Sequence, residues 1–187
     1  MPEAGTPDLL APLSSIRPAG ELPEVERISA EDIPEPARSL LAHHRDMTPT
    51  LATFHGDTMG LLVLARHPGT DHLVREIVLF RQGDGTPVEY GAIHIHLDRF
   101  DSAARAEIEA GGKPFGAVLA DHGIPHGGCP HAYVKVRTNA WLEQCLELPA
   151  GPHVAYGRRN VLRGPDGSAL ADVLEILPPF PMESHDV

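Results

Sequence analysis

The 187-residue chain has a formal net charge of −11, which argues against a nucleic-acid partner because phosphate contacts need clustered Lys and Arg. Its two cysteines form no Cys-x-x-Cys pair for zinc or redox chemistry. No segment approaches the roughly 20 consecutive apolar residues of a membrane-spanning helix, so we expect no membrane partner.

The first 30 residues differ in composition from the rest of the chain. They are rich in Pro, Ala and Glu with weak periodicity, which predicts a mobile or loosely attached acidic arm. The opening MPEAGTPDLLAPLSS has neither the basic start nor the apolar run of a secretory signal. We therefore expect a cytoplasmic protein with one folded domain at residues 31–187.

Three strand patterns follow a helical region that opens at Ile33. The segments 59–67, 73–80 and 88–97 combine apolar runs with alternation, and short turns rich in Gly, Pro and Asp separate them. Strands joined by such short turns are antiparallel neighbours, because parallel strands need long crossover connections. The middle of the chain thus predicts an antiparallel meander.

Helical and strand patterns alternate in the second half of the chain. We predict an α+β fold, a single mostly antiparallel sheet of about six strands with flanking helices. The later elements are helices at 102–110, 114–122 and 139–148, strands at 132–137, 154–163 and 169–177, and a loop rich in Gly, Pro and His at 123–131.

Two charged residues interrupt strands that are otherwise apolar. Arg75 alternates with apolar neighbours in LVREIVLF, and Glu175 does so in ALADVLEIL. A buried charge costs several kcal/mol unless an opposite charge meets it. Two arrangements satisfy this condition: a direct Arg75–Glu175 ion pair, which the two strands alone favour, or a ligand pocket that both side chains share.

Five ordered segments resemble the chorismate pyruvate-lyase family: LLAHHRDMTPTL, VREIVLF, GGKPFG, YGRRNVL and VLEILP. They lie in the family's order across about residues 38–180. The resemblance implies a chorismate lyase-like fold, an internal cavity closed by helical flaps, and conversion of chorismate to 4-hydroxybenzoate and pyruvate without a cofactor. Edge strands in this fold are usually covered by helices, so we expect a monomer.

Residue roles carried over from the resemblance concern the two ends of that cavity. Arg75 would bind the ring carboxylate, for which a forked guanidinium is well suited. Glu175 would serve in proton transfer, as the second catalytic residue. The other residues expected to bind substrate are Met47, Phe115, Gly116 and Arg158.

Two alternatives to the lyase remain open at this point. The same fold serves as the effector-binding domain of certain transcription regulators, where it binds small acids without catalysis. A lyase relative acting on another cyclic acid in secondary metabolism is the other alternative, and Phe115 favours an altered cavity because it replaces a smaller aliphatic residue. We predict the lyase, since Arg75 and Glu175 are both present.

Twelve histidines raise the question of a metal site. His94 and His96 share one face of a strand whose other face belongs to Ile93 and Ile95. No acid follows at a spacing that completes a familiar His-x-His site. We interpret these residues, and the histidines around Cys129, as surface histidines in preference to a structural zinc or a catalytic metal, and we expect no cofactor.

Overall fold

The computed structural model describes residues 8–180. One antiparallel sheet of seven strands, in the order β1-β5-β6-β7-β4-β3-β2, forms its centre. The strands are β1 (Glu24–Ile28), β2 (Met59–Pro68), β3 (His72–Arg81), β4 (Pro87–His96), β5 (Gly127–Arg137), β6 (Val154–Arg163) and β7 (Ala169–Leu177). The helices are α1 (Ala37–Leu41), α2 (Met47–His55), α3 (Ser102–Ala110), α4 (Phe115–Asp121) and α5 (Ala140–Cys145).

The predicted antiparallel sheet with flanking helices is confirmed. β6 and β7 have the predicted bounds, and β2, β3 and β4 are antiparallel neighbours. β5 begins at Gly127, inside the segment predicted to be a loop, because the chain there continues to pair with β6 across a bulge. α5 ends at Cys145, before the predicted bound.

The sheet has a seventh strand because residues 8–28 pack on it. β1 pairs with β5, and Leu13 is fully buried. We expected residues 1–30 to form a loosely attached arm, but residues 8–28 pack against the sheet. Their apolar side chains, although dispersed among Pro and Glu, contact an apolar face of the sheet. Residues 1–7 lie outside the described residues, and the domain boundary at residue 30 stays a prediction.

The two faces of the sheet are covered by different elements. The front face carries Arg75, Ile77 and Leu79 of β3, and α1, α2 and α4 pack over it. The back face carries Val78 and Tyr90, and residues 8–22 and α5 pack over it. Alternation along each strand therefore assigns neighbouring residues to two separate cores.

α2 is the helix that borders the front face most closely. It begins at Met47 and ends at His55, and the next residue, Gly56, has a φ of 61° that suits a glycine at a helix end. No helix in residues 8–180 is long and apolar enough to cross a membrane.

Candidate functional site

A cavity of about 340 Å³ lies between the front face and the N-terminal turns of α2 and α4. Strands β3, β4 and β7 form its floor, and Met47 and Phe115 cover it from the two helices. Both of these side chains are buried. The cavity is therefore partly covered, and a buried charge on its floor is poorly solvated.

Arg75 projects into this cavity from β3 and is only 2% exposed. Its NH2 group donates a hydrogen bond to the carbonyl oxygen of Lys113 at 3.2 Å, while its Nε and NH1 groups have no partner among residues 8–180. No acidic side chain within residues 8–180 forms an ion pair with it. Arg75 thus offers two buried donors and an unmatched positive charge.

Burial, with a smaller contribution from Arg66, lowers the pKa of Arg75 to about 10. The guanidinium stays protonated at neutral pH. A shift of this size corresponds to a cost of roughly 3 kcal/mol for keeping the cation in the folded protein. An anion placed beside Arg75 would recover much of that cost.

Glu175 lines the same cavity from β7, but its partner is Arg158 on the adjacent strand β6. The Nε of Arg158 donates to a carboxylate oxygen of Glu175. Its remaining nitrogens donate to the carbonyl oxygens of Leu41, His43 and Arg45. Arg158 is fully buried, does not line the cavity, and fixes the connection between α1 and α2.

Arg75 and Glu175 therefore do not form the direct ion pair that the strands alone favoured. β4 lies between their strands, and the register offsets them by two residues. With strands about 4.8 Å apart and about 3.3 Å per residue, their Cα atoms are about 12 Å apart. The two charges occupy opposite ends of one cavity.

Glu89 of β4 is a third charged residue in the cavity, and the sequence analysis missed it. Burial raises the pKa of Glu89 well above its ordinary value, and the neighbouring Glu175 adds to this effect while Arg158 opposes it. Its Oε2 atom is buried and has no hydrogen-bond partner. A protonated Glu89 can donate one hydrogen bond to a ligand.

Asn160 of β6 adds a further polar group to this end of the cavity. Its Oδ1 atom is buried and unpartnered, so it can accept a hydrogen bond. Together with Glu89 and Glu175 it forms an end of the cavity that can hydrogen-bond to a ligand but carries no positive charge. We call this group, Glu89, Asn160 and Glu175, the acidic end.

The middle of the cavity is apolar, with Ile77, Ile93 and Val173 on its floor. Gly91 lies between the two polar ends, directly opposite Glu175 in the β4–β7 pairing. A side chain at this position would begin 3.1 Å from Ile77 and 3.4 Å from Glu89. The glycine therefore leaves room for a flat group between Arg75 and the acidic end.

The entrance is held by contacts between α2, α4 and the loop after α4. The Oδ2 atom of Asp46 lies 2.9 Å from Nε2 of His126. A Cβ atom on Gly116 would stand 2.9 Å from the same Asp46 oxygen, so a larger residue here would displace that carboxylate. Phe115 packs edge-on against Phe100 with ring centroids 5.8 Å apart.

Five of the six predicted site residues, Arg75, Glu175, Met47, Phe115 and Gly116, line this one cavity, and Arg158 lies behind Glu175. Glu89 and Asn160 were overlooked although a signal existed. Glu89 alternates with Gly91 and Ile93 in the strand, which is the pattern that identified Arg75 and Glu175. Asn160 closes the GRRN segment of the family resemblance.

Comparison with known proteins gives matches in structure. No family model matches the sequence, and no curated protein matches it significantly. A gene product of Staphylococcus aureus superposes with a TM-score of 0.51 at 12% identity, over 64% of this chain and 82% of that one. PhnF from Mycobacterium smegmatis gives 0.53 at 15%, over 71% of this chain and 63% of that one, so the chain spans less than two thirds of PhnF.

A GntR-family transcriptional regulator from Bacillus cereus matches with a TM-score of 0.48 at 10% identity, over 69% of this chain and 97% of that chain. Identities this low establish the fold alone. The chain has the chorismate lyase-like fold, an antiparallel sheet with flanking helices. Membership of the chorismate pyruvate-lyase family is not part of this finding.

The prediction that the chain is a chorismate lyase is wrong. The structures that match this chain include several named as transcriptional regulators or as the ligand-binding domain of one, and this finding contradicts the enzyme assignment without giving the chain a role. The geometry supplies a physical reason, because the Glu175 carboxylate assigned to proton transfer is already bound to Arg158. The assignment to 4-hydroxybenzoate biosynthesis is not supported by these matches either.

Proposed function

We propose that this protein is a non-catalytic effector-binding domain that binds a small monocarboxylic acid in the front-face cavity. The observation that carries the proposal is Arg75, a buried cation with two donors that lack a partner within residues 8–180 and that face a partly covered, largely apolar cavity. Such a cation is costly without an anion. A carboxylate accepts two parallel hydrogen bonds from a guanidinium and supplies the missing charge.

The charge distribution favours a ligand with a single negative charge. Arg75 is the one cationic side chain lining the cavity within residues 8–180. At the other end a second carboxylate would meet Glu175 and the carboxyl group of Glu89, and like charges in a dry site repel strongly. A monoanion therefore fits better than a dianion such as chorismate.

The dimensions favour a small, flat molecule. The cavity volume of about 340 Å³ is at the low end of the range for ligand pockets. A six-membered ring with a carboxylate at one end and a hydroxyl at the other would reach from Arg75 to the acidic end. 4-Hydroxybenzoate has this form, and the resemblance of the five sequence segments to chorismate pyruvate-lyases, which release it, supports this ligand class.

Two observations support binding without turnover. Regulators whose structures match this chain include ligand-binding domains by name. Within the cavity, Arg158 holds Glu175, and Glu89 favours its protonated form. The acidic end can therefore hydrogen-bond to a ligand hydroxyl while the Glu175 carboxylate stays bound to Arg158.

Calorimetric titration with 4-hydroxybenzoate, benzoate, chorismate and the neutral 4-hydroxybenzamide tests this proposal. We expect 4-hydroxybenzoate to bind more tightly than the other three. Arg75→Met should weaken its binding by about a hundredfold, because losing a buried charged contact costs roughly 3 kcal/mol. Arg66→Met is the matched control, since Arg66 is an exposed arginine that lies near Arg75 and outside the cavity lining.

The control variant should keep the wild-type affinity within a factor of about three, as expected for an exposed surface charge. Equal affinities for 4-hydroxybenzoate in the wild type and in Arg75→Met would contradict the proposal. So would tighter binding of the neutral amide. Release of pyruvate from chorismate in amounts equal to the chorismate consumed would contradict the non-catalytic role.

A further inference from the structure

The back face of the sheet carries a second group of polar side chains, which point away from the front-face cavity. His94 and His96 are two residues apart on β4, and Asp172 lies opposite His94 on β7. Their imidazole nitrogens and carboxylate oxygen all lie within 4.8 Å of one another. We infer that His94, His96 and Asp172 form a binding site for a divalent transition-metal ion of the Zn²⁺ class.

The strand geometry preorganises these ligands. Residues two apart on a strand point to the same face, and residues paired directly across an antiparallel ladder also share a face. All three Cα positions are therefore fixed by backbone hydrogen bonds in the middle strands of the sheet. The remaining freedom lies in side-chain rotation, which has only a small distance to close, since ligand atoms around tetrahedral zinc are about 3.4 Å apart.

One pair of ligands is already close to that spacing. Nε2 of His96 lies 3.1 Å from Oδ2 of Asp172. The rings of His94 and His96 have centroids 4.7 Å apart and are nearly perpendicular, at 76°. Small rotations of the half-buried side chains would bring all three ligand atoms around one ion.

The donor set indicates which ion would bind. Two imidazoles and one carboxylate suit zinc and the neighbouring transition metals, whereas magnesium and calcium prefer oxygen ligands alone. Three protein ligands leave one position for water or for another side chain. His72 is the nearest candidate for that position, because it pairs with His96 across β3–β4 and its ring stacks on His94 with centroids 5.0 Å apart.

The position of the third ligand explains why the His-x-His pattern in the sequence had no acid to complete it. The two histidines have no acid at a nearby position in the chain, because the third ligand comes from a strand 76 residues beyond His96. The β4–β7 pairing brings Asp172 beside them. A metal here would join two strands that also form part of the cavity floor, although it would lie on their opposite face.

Titration of the tag-free, chelator-treated protein with Co²⁺ and with Zn²⁺ tests the site. We expect visible absorption bands of protein-bound Co²⁺ that saturate at one ion per chain, and displacement of Co²⁺ by Zn²⁺. His96→Ala should weaken binding at least tenfold, since changes even beyond the direct ligands have effects of ~10–100-fold. Asp172→Asn, which keeps the side-chain shape, should weaken it in the same direction.

His67→Ala is the matched control, because His67 is an exposed histidine on β2, two strands away from His94 in the sheet. It should bind Co²⁺ as the wild type does, and circular dichroism should show that all three variants are folded. Binding of less than one ion per chain in the wild type, or an equal loss of affinity in His67→Ala, would overturn the inference. Because no cavity residue is changed, 4-hydroxybenzoate binding reports separately on the proposed function.

Discussion

Two adjacent residues of β3, Arg75 and Glu76, are both buried and charged, and they differ in what meets them. Glu76 points to the back face, where Nε and NH2 of Arg17 donate to its two oxygens at 2.7 and 3.0 Å. The same guanidinium lies 3.9 Å above the ring of Trp141. Arg75 points to the front face, where two of its nitrogens have no partner.

This difference separates a structural charge from a ligand-binding one. A buried ion with a bidentate partner has its solvation replaced within the protein, so it can hold a terminal segment on the sheet. A buried ion without a partner costs free energy that only a bound anion can offset. We therefore assign the back-face pair to folding, and our proposal assigns the front-face cation to ligand binding.

Removing Arg17 should have the largest effect on stability. Arg17→Ala leaves the Glu76 carboxylate buried without a partner and should lower the free energy of unfolding by about 3 kcal/mol. Urea denaturation measures this loss. Arg38→Ala, which breaks an exposed ion pair with Glu35, should cost less than about 1 kcal/mol, and equal losses in the two variants would remove the distinction between the faces.

Replacing Arg75 should have a smaller effect, in the opposite direction. Arg75→Met removes a costly unpaired cation and keeps an apolar side chain of similar length. We expect the free energy of unfolding without ligand to stay unchanged or to rise by up to about 2 kcal/mol. The same urea experiment measures it. A loss as large as that of Arg17→Ala would mean that Arg75 has a structural partner.

The smallest expected effect is a pH dependence of the free energy of unfolding that arises from Glu89. Because the pKa of Glu89 is raised in the folded protein, the folded state binds this proton more tightly than the unfolded state does. The contribution of Glu89 to the free energy of unfolding should therefore fall as the pH rises from 4.5, the ordinary pKa of a glutamate, towards the raised pKa of Glu89. Glu89→Gln should give a flatter profile of unfolding free energy against pH, and an unchanged profile would contradict the buried, protonated state.

Much of the front face could be predicted because strand periodicity is local. The bounds of β6 and β7 followed from their alternating residues, and a lone charge in an apolar strand was sufficient to identify Arg75 and Glu175. Glu89 follows the same rule. It was missed because the interpretation of its strand considered only the two histidines, His94 and His96. The packing of residues 8–28 could not be predicted, since their composition is that of a mobile segment and their burial depends on a sheet face formed much later in the chain.

The sequence by itself determined the type of most elements and the side of the strand on which each side chain lies, because both depend on neighbours a few residues away. The tertiary structure alone decided which charges meet. Glu76 pairs with Arg17, Glu175 pairs with Arg158 and Asp172 lies beside His96. These partners follow from strand order and register, which bring together residues that are far apart in the chain. The same order and register leave Arg75 without an acidic partner among residues 8–180.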